Sequence, residues 1–405
     1  DDTFGGEVNT GNSHTMLVNR LSYLFGWTGP SLAVDTGCSG SMVAIHQAIR
    51  ALKTGDCEVA VAGGVNIVLS PMSVIVNRRM GLLTGADVSR PFDKDADGHL
   101  FGDGAGVVIL KPLEKALADQ DSILGIIRGS AVNHNGRTMF LTAPSPKGQS
   151  NVIKAALAEA GLTPDDLDLV EGQGAANTLV DGAELEGYRQ VFCDSQKVLL
   201  GSLKGNLGHL ESAAGVASVI KVLMAMHAET VPPTLHHRNL NWREEDGPAP
   251  VEVVTERRPW PTRPNKPKRA GVHNFGYGGV NGHLIVEQPP LAYAQDNGGP
   301  QLITLSAATP EALRAQADDL VEYLAAQDWQ LFGLASISLN DIAFTLQQGR
   351  RVQPHRLALV AKTVPDLIDK LRRFSADQNG DDLYTGVVDG ATALVAEGSL
   401  QELAI

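Results

Sequence analysis

The stretch VDTGCSGSMVAIHQAIRAL, residues 34–52, sets one cysteine between a strand-like run and a helix-like run. A strand ending at Asp35 and a helix beginning near Ser39 would place Cys38 on a sharp turn at a helix N-terminus. Free amides and the helix dipole stabilise an anion there, so the position predicts a thiol that ionises easily and acts as a nucleophile. The residues alone leave a second interpretation open, a buried and inert cysteine packed at a helix start.

Strand-like and helix-like segments alternate along the rest of the chain. Short apolar runs predict strands at residues 32–34, 59–62, 106–110, 123–127, 167–170, 198–200, 271–272 and 283–286. Apolar residues spaced by three and four predict helices, as at Met42, Ile45, Ile49 and Leu52. The alternation predicts an α/β fold.

Composition excludes several classes of protein. The chain has 405 residues, of which 43% are hydrophobic, which is enough for one large core and a second domain. Its formal net charge of −13 argues against a broad nucleic-acid or anionic-membrane surface. No stretch has the length and apolarity of a membrane span, and the first residues do not resemble a signal peptide. We therefore expect a cytoplasmic location.

The cysteines are too few for a disulfide framework. There are three, Cys38, Cys57 and Cys193, an odd number in a long chain. The histidines and cysteines do not show the spacing of a metal site. We predict that the chain binds no metal.

A change in composition predicts two domains. The segment QPPLAYAQDNGGP, residues 288–300, is rich in turn formers and carries no periodic apolar pattern. We predict a linker at 289–300 between domains at residues 1–288 and 301–405. In the second domain the patterns predict a small α/β unit, with strands at 302–305 and 357–360 and helices at 309–326, 339–348 and 364–374.

Several ordered segments resemble a known family. VDTGCSGSMVA is similar to the signature VDTACSSSLVA around the nucleophilic cysteine of the β-ketoacyl synthases, most closely the ketosynthase domains of modular polyketide synthases. The other matching segments are residues 18–23, AGGVN at 62–66, RPFDKDADGHLFGDGAGVV at 90–108, GSAVNHNGRT at 129–138, GSLKGNLGHLESAAG at 201–215 and AGVHNFGYGGVNGHLIVE at 270–287. Together they cover most of residues 18–287.

The resemblance implies a thiolase-like fold of five αβαβα layers, in which two similar α/β halves stack around buried helices and the protein forms a homodimer. It implies that the substrate is an acyl group on the phosphopantetheine arm of an acyl carrier protein. No cofactor is then bound by this chain itself. The family has a further stretch before the region at which this chain begins.

The resemblance also implies a Cys-His-His constellation. Cys38 would hold the acyl chain as a thioester, and two imidazoles would help malonyl-carrier to lose carbon dioxide and attack. KGNLGH matches K-x-N-x-G-H, so His209 would bind the thioester carbonyl and Lys204 would organise the site, with Glu211 as a candidate partner. Backbone amides of the oxyanion hole would come from Cys38 and from the segment around Phe275 and Gly276.

The first histidine of the constellation is absent. Where the family has E-A-H-G-T-G-T, this chain reads EGQGAAN, so Gln173 stands at the histidine position. An amide does not titrate near neutral pH and cannot share a proton with a leaving carboxylate. Loss of one positioned acid-base group costs roughly two to four powers of ten in rate. The sequence thus predicts acyl loading on Cys38 without efficient condensation, as in the non-elongating ketosynthases of polyketide synthases whose modules lack an acyltransferase.

Two other functions stay open at this point. The chain could be an elongating or branching ketosynthase, with Gln173 or a water polarising malonyl-carrier. Alternatively it could be a catalytically silent, dimeric scaffold that docks carrier proteins. The intact thiol of Cys38 argues against the scaffold, because a silent domain has no need for a thiol at a helix start.

Overall fold

The fold was analysed in a computed structural model. It describes residues 7–119, 121–192, 197–264, 266–289, 299–325, 338–378, 380 and 382–388. The chain divides into two units, Asp1–Pro290 and Leu291–Ile405. Most of the predicted linker, residues 290–298, lies outside the described residues.

The first unit contains alternating helices and strands. Its helices are α1 (Glu7–Asn12), α2 (His14–Phe25), α3 (Gly40–Thr54), α4 (Pro71–Arg79), α5 (Leu113–Ala118), α6 (Pro146–Ala160), α7 (Thr178–Phe192), α8 (Lys204–Leu207) and α9 (Ala214–His227). Its strands are β1 (Ala60–Asn66), β2 (Gly104–Leu110), β3 (Ile126–His134), β4 (Leu169–Glu171), β5 (Val198–Gly201), β6 (Thr230–Val231), β7 (Val251–Val253), β8 (Arg258–Pro259), β9 (Arg269–Phe275) and β10 (Val280–Glu287).

A six-stranded mixed sheet forms the centre of this unit, in the order β3-β10-β9-β4-β5-β7. The β3-β10 and β10-β9 pairs are antiparallel, whereas the remaining pairs are parallel. Successive strand side chains point to opposite faces, so one strand supplies two cores. On β10, Leu284 and Val286 join the core around α3 and α9, whereas Ile285 joins the core around α6 and α7. Helices therefore cover both faces of the sheet.

A second, two-stranded sheet lies on the far side of the buried helices. β1 and β2 pair in antiparallel fashion and pack against α3 and α9. The layers thus run β1-β2 sheet, α3 and α9, six-stranded sheet, α6 and α7. The outer face of β1-β2 is exposed within the described residues; for example, Val107 is 61% exposed and Ile109 is 72% exposed.

One predicted strand is wrong. Residues 32–34 are not in a strand, and α3 begins at Gly40, just after the predicted start. An apolar run becomes a strand only where another strand offers its backbone groups, and no described residue pairs with 32–34. Leu32 is accordingly 64% exposed. Each of the other predicted strands of the first unit overlaps an observed strand, although residues 123–125 and 167–168 precede the starts of β3 and β4.

The second unit has helices and strands that share one core. Three antiparallel strands in the order β11-β12-β13 carry helices that share one core. The elements are β11 (Gln301–Ala307), α10 (Pro310–Ala325), α11 (Leu339–Gln348), β12 (His355–Ala361), α12 (Val364–Ser375) and β13 (Leu383–Val387). Across the described part of both units, the helices are all too short or too polar to cross a bilayer.

Candidate active site

The sharp turn at residues 35–39, which we call the elbow, is stabilised by local hydrogen bonds. The amide of Gly37, whose φ is +62°, donates to Oδ1 of Asp35 at 3.1 Å. The hydroxyl of Ser39 donates to the carbonyl of Thr36 at 3.0 Å. Gly276 packs against this turn so closely that a Cβ there would lie 2.3 Å from the Thr36 oxygen. Only glycine fits at position 276 without moving the elbow.

The thiol of Cys38 is buried beside a carboxylate, which disfavours its ionisation, contrary to the expectation from the sequence. Cys38 is 8% exposed, and its Sγ donates to Oε2 of Glu211 at 3.3 Å. Burial, together with the charge and hydrogen bond of Glu211, raises the pKa of the thiol well above its ordinary value. Lys204 and the backbone amide of Tyr277 lower that pKa, but they do not compensate. The helix start alone therefore does not produce a thiolate.

His209 is a neutral hydrogen-bond donor. Its side chain is buried, and its Nδ1 accepts from the amide of Glu211 at 2.9 Å. Burial and the charge of Lys204 lower the pKa of His209 well below its ordinary value. In the neutral ring the proton then sits on Nε2, because Nδ1 is an acceptor. This Nε2-H can donate to a carbonyl oxygen, the role that the resemblance implied.

Lys204 and Gln173 are bonded to each other. The Nζ of Lys204 donates to the backbone carbonyl of Gln173 at 2.5 Å and to its Oε1 at 3.2 Å. Burial lowers the pKa of Lys204. The Oε1 of Gln173 also accepts from Nδ2 of Asn274, and its Nε2 donates to the carbonyl of Phe275 at 3.1 Å. Both lone pairs of Oε1 are therefore occupied.

The loop after Gln173 is anchored from α7. The amides of Gln173 and Gly174 donate to the carboxylate of Glu184 at 2.7 Å and 2.9 Å. Burial raises the pKa of Glu184 to about 6, although these bonds and that of Tyr188 oppose the shift. Asn177 accepts from the amides of Leu179 and Val180 at the start of α7, so it caps this helix.

The amides assigned to the oxyanion hole are only partly available. The amide of Gly276 already donates to the carbonyl of Val280 at 2.9 Å. The amide that reaches the Cys38 sulfur is instead that of Tyr277. Tyr277 lies in the segment that the resemblance assigned to the oxyanion hole, but Phe275 and Gly276 were named instead, because which amide reaches the sulfur depends on how the turn between β9 and β10 meets the elbow.

Two ionisable side chains, those of Glu211 and His99, lie near the thiol. Glu211 has a left-handed backbone, with φ of +45°, and its Oε1 lies 3.7 Å from Nε2 of His99. Burial opposes ionisation of Glu211, but its interactions with His99, His209 and Cys38 outweigh burial and lower its pKa to about 2. The ring of His99 meets that of His209 edge-on, with centroids 4.7 Å apart. Sequence reasoning did not single out His99.

Donor atoms of Cys38, His209 and Glu211 lie within 4.8 Å of one another, a spacing that could hold a metal ion. We assign these groups to thiol chemistry, because the carboxylate accepts the thiol hydrogen and the Glu211 amide occupies Nδ1 of His209. Cys57 is partly exposed and lies outside this cluster. Cys193 lies outside the described residues.

Family models match both units of the chain. The β-ketoacyl synthase N-terminal domain matches residues 2–116, and the β-ketoacyl synthase C-terminal domain matches residues 124–238. A CurL-like polyketide synthase C-terminal region matches residues 301–371. The first two matches include Cys38, Gln173, Lys204 and His209.

Curated relatives and solved structures agree with these matches. Polyketide synthase PksL of Bacillus subtilis is 37% identical over 411 residues, which cover 97% of this chain and 9% of PksL. Polyketide synthase GfsA of Streptomyces halstedii is 37% identical over 394 residues, covering 95% of this chain and 5% of GfsA. The chain thus spans a small part of the curated relatives that it matches.

Two solved ketosynthases have the same fold. The ketosynthase from module 6 of the Bacillus subtilis bacillaene synthase superimposes with a TM-score of 0.84 at 34% identity, covering 94% of this chain and 65% of that one. The oxazolomycin ketosynthase domain OzmH KS7 of Streptomyces albus gives 0.85 at 35% identity, covering 97% and 68%. The fold is the thiolase-like fold that the sequence predicted. The chain belongs to the β-ketoacyl synthase family, as a ketosynthase domain of the modular polyketide synthases.

Proposed function

We propose that this chain takes an acyl group from an acyl carrier protein onto Cys38 and passes it to a downstream carrier without decarboxylative condensation. The observation that carries the proposal is the state of Gln173. Its Oε1 is filled by Asn274 and Lys204, and its Nε2 is bonded to Phe275. A malonyl thioester would find no imidazole at this position, only an amide that is held in place by these three bonds and does not titrate near neutral pH.

Acyl transfer asks for less than condensation. Sγ of Cys38 attacks the thioester carbonyl, and the bond to the phosphopantetheine sulfur breaks as the new thioester forms. Hydrogen-bond donors stabilise the oxyanion in the intermediate, and the amide of Tyr277 and Nε2-H of His209 are candidates for that role. Thioester exchange is close to thermoneutral, so the group can pass on to a second carrier thiol without decarboxylation.

Condensation requires a further acid-base step, which the Gln173 side supports poorly. A departing carboxylate and a developing enolate need positioned donors that can exchange protons. An amide does not titrate near neutral pH, so Gln173 cannot exchange one. The homodimer, and membership of an assembly line whose modules lack an acyltransferase, stay predictions from the resemblance.

Mass spectrometry tests the proposal. The protein is incubated with an acyl carrier protein bearing an acyl group and then with malonyl-carrier. The intact masses of the protein and of the carriers are then measured. We expect an acyl adduct on Cys38 that moves to a free carrier thiol, with no carbon dioxide released. Cys38→Ala should abolish the adduct, whereas Cys57→Ala is the matched control and should retain it.

Two results would contradict the proposal. Extended β-ketoacyl product at a rate comparable with acyl transfer would identify an elongating ketosynthase instead. Absence of any adduct on the unaltered protein, with several acyl chains offered, would leave the carrier-docking scaffold as the function.

A further inference from the structure

His99 lies beside the reactive thiol, although none of the roles above uses it. The residue is 5% exposed, and its Nε2 is fully buried. Within the described residues this nitrogen has no partner at hydrogen-bond distance, and Oε1 of Glu211 stands 3.7 Å away. A buried ring nitrogen without a partner is destabilising, so its place beside a carboxylate needs a physical reason.

Glu211 lies between His99 and Cys38. One carboxylate oxygen, Oε2, accepts the thiol hydrogen at 3.3 Å, and the other faces His99. The left-handed backbone of Glu211, with φ of +45°, is uncommon for a residue other than glycine. Thiol, carboxylate and imidazole thus form a continuous chain of three groups.

The thiol needs a proton acceptor at the moment of attack. Burial and Glu211 raise the pKa of Cys38, so little thiolate exists beforehand. The carboxylate takes the thiol hydrogen bond but holds a proton poorly, because the pKa of Glu211 is about 2. A carboxylate in this position can transmit a proton to a stronger base, and an imidazole is such a base.

His209 is not available as that base. Its Nδ1 already accepts from the amide of Glu211, so the neutral ring carries its proton on Nε2 and has no free acceptor nitrogen. Among the described residues, Cys38 and His209 also interact with Glu211, and the buried ammonium of Lys204, which acts on Cys38, is itself a donor. In the neutral His99 ring with its proton on Nδ1, Nε2 is an acceptor that faces Glu211.

We propose that Glu211 and His99 form a proton relay for Cys38. As Sγ bonds to the acyl carbon, the S-H bond breaks and Oε2 of Glu211 takes the proton. A half-turn of the carboxyl group then brings this proton to Nε2 of His99. When the phosphopantetheine thiolate leaves, the proton returns along the same path to its sulfur. His99 is a positioning residue in this scheme, since it acts through Glu211, and the scheme rests on the acyl transfer proposed above.

Alkylation of Cys38 by iodoacetamide tests the relay without any carrier protein. The rate is measured from about pH 5 to pH 9, across the range where imidazoles titrate, by intact mass and peptide mapping. We expect the rate of the unaltered protein to rise through this range. His99→Gln and Glu211→Gln should both react about a hundredfold more slowly than the unaltered protein near neutral pH, in Glu211→Gln even though loss of its charge lowers the pKa of the thiol. His14→Gln, at an exposed histidine of α2, is the matched control and should keep the full profile.

Three outcomes would overturn the relay. Faster alkylation of Glu211→Gln near neutral pH would show that the carboxylate only keeps the thiol protonated. Loss of the rise in His209→Ala would assign it to His209, whereas the relay predicts that this variant keeps it. An unchanged profile in His99→Gln would remove His99 from the scheme. If His99→Gln does not melt cooperatively, the Glu211→Gln and His209→Ala profiles decide. A protein that shows the relay profile but accepts no acyl group would contradict the proposed function and leave the relay standing.

Discussion

Cys38 and Gln173 are buried at the same site, yet their side chains are used in opposite ways. Cys38 makes one side-chain hydrogen bond, to the carboxylate of Glu211, and its sulfur also receives an amide. The amide of Gln173 is bonded to Asn274, Lys204 and Phe275. A buried polar group can serve a substrate only with the bonding capacity that the protein leaves free. One side of the site is therefore arranged for reaction and the other for stability.

The largest effect on the rate of acylation should come from shifting the turn that carries Cys38. In Gly276→Ala the new Cβ would lie 2.3 Å from the carbonyl oxygen of Thr36, so the elbow must shift. A misplacement of about 1 Å at a reacting group can cost a hundredfold in rate, so we expect Cys38 acylation to fall about that much. Intact mass measured over time with an acyl thioester gives the rate.

Gly278→Ala is the matched control for that experiment. A Cβ at position 278 meets nothing within 4 Å, so acylation should be unchanged. Equal rates for the two variants would mean that the fit of Gly276 against the elbow does not position the thiol.

A smaller effect should come from removing the hydrogen bonds of the Gln173 side chain. Gln173→Leu leaves Lys204 and Asn274 without an acceptor that they now use, and an unsatisfied buried donor costs about 1–3 kcal/mol. We expect the free energy of unfolding in urea to fall by about that amount. Acylation of Cys38 should decline far less than in Gly276→Ala, because Gln173 makes no hydrogen bond to the thiol.

Gln347→Leu serves as the control in the second unit, where the exposed amide makes one bond, to the carbonyl of Leu302. Its unfolding free energy should stay within about 0.5 kcal/mol of the original. A Gln173→Leu protein as stable as this control would show that the Gln173 bonds contribute nothing to the fold.

The smallest effect should be a gradual loss of stability in acid, caused by two buried histidines of the central sheet. His273 on β9 and His283 on β10 are fully buried, with their Nδ1 atoms 3.3 Å apart. Burial lowers the pKa of His273 to about 3 and that of His283 well below its ordinary value. The folded protein thus binds these protons less readily than the unfolded chain, whose histidines titrate near pH 6.5. The stability that depends on keeping these two histidines neutral is fully present above pH 6.5 and is lost as the pH falls toward about 3.

Urea unfolding near pH 7.5 and near pH 5 measures this loss. His283→Gln should show a smaller decrease between the two pH values, and His14→Gln should decrease like the unaltered protein. Equal decreases in all three proteins would assign the acid sensitivity to other groups.

Local patterns predicted most of the secondary structure. Apolar runs located the central strands, since burial on both faces of the sheet leaves a continuous hydrophobic signature, as at Val198, Leu199 and Leu200. The ends of the strands were less predictable, because pairing with a neighbour extends them into residues such as Arg269 and Asn66. The run at residues 32–34 had the composition of a strand but no strand to pair with.

Motifs in the sequence predict which residues form the site, whereas the electrostatics of the site depend on the fold. The motif frame identified Cys38, Gln173, Lys204 and His209, and the structure brings Gln173 and Lys204 into contact. Ionisation of the thiol was predicted wrongly, because Glu211 is 173 positions away in sequence and its charge acts only in the folded protein. His99 was missed for the same reason, and Tyr277 was missed by one position within the segment that the resemblance assigned to the oxyanion hole.

The bonding of Gln173 also bears on how reversible this substitution is in evolution. Its Oε1 has two lone pairs and serves both Asn274 and Lys204. A neutral imidazole offers a single acceptor nitrogen, so histidine at this position would leave one of those two buried donors without this partner. A one-step reversion to histidine therefore loses one of these side-chain hydrogen bonds, although Lys204 keeps its bond to the backbone carbonyl of residue 173. The present hydrogen bonds of Oε1 therefore favour glutamine over histidine at this position.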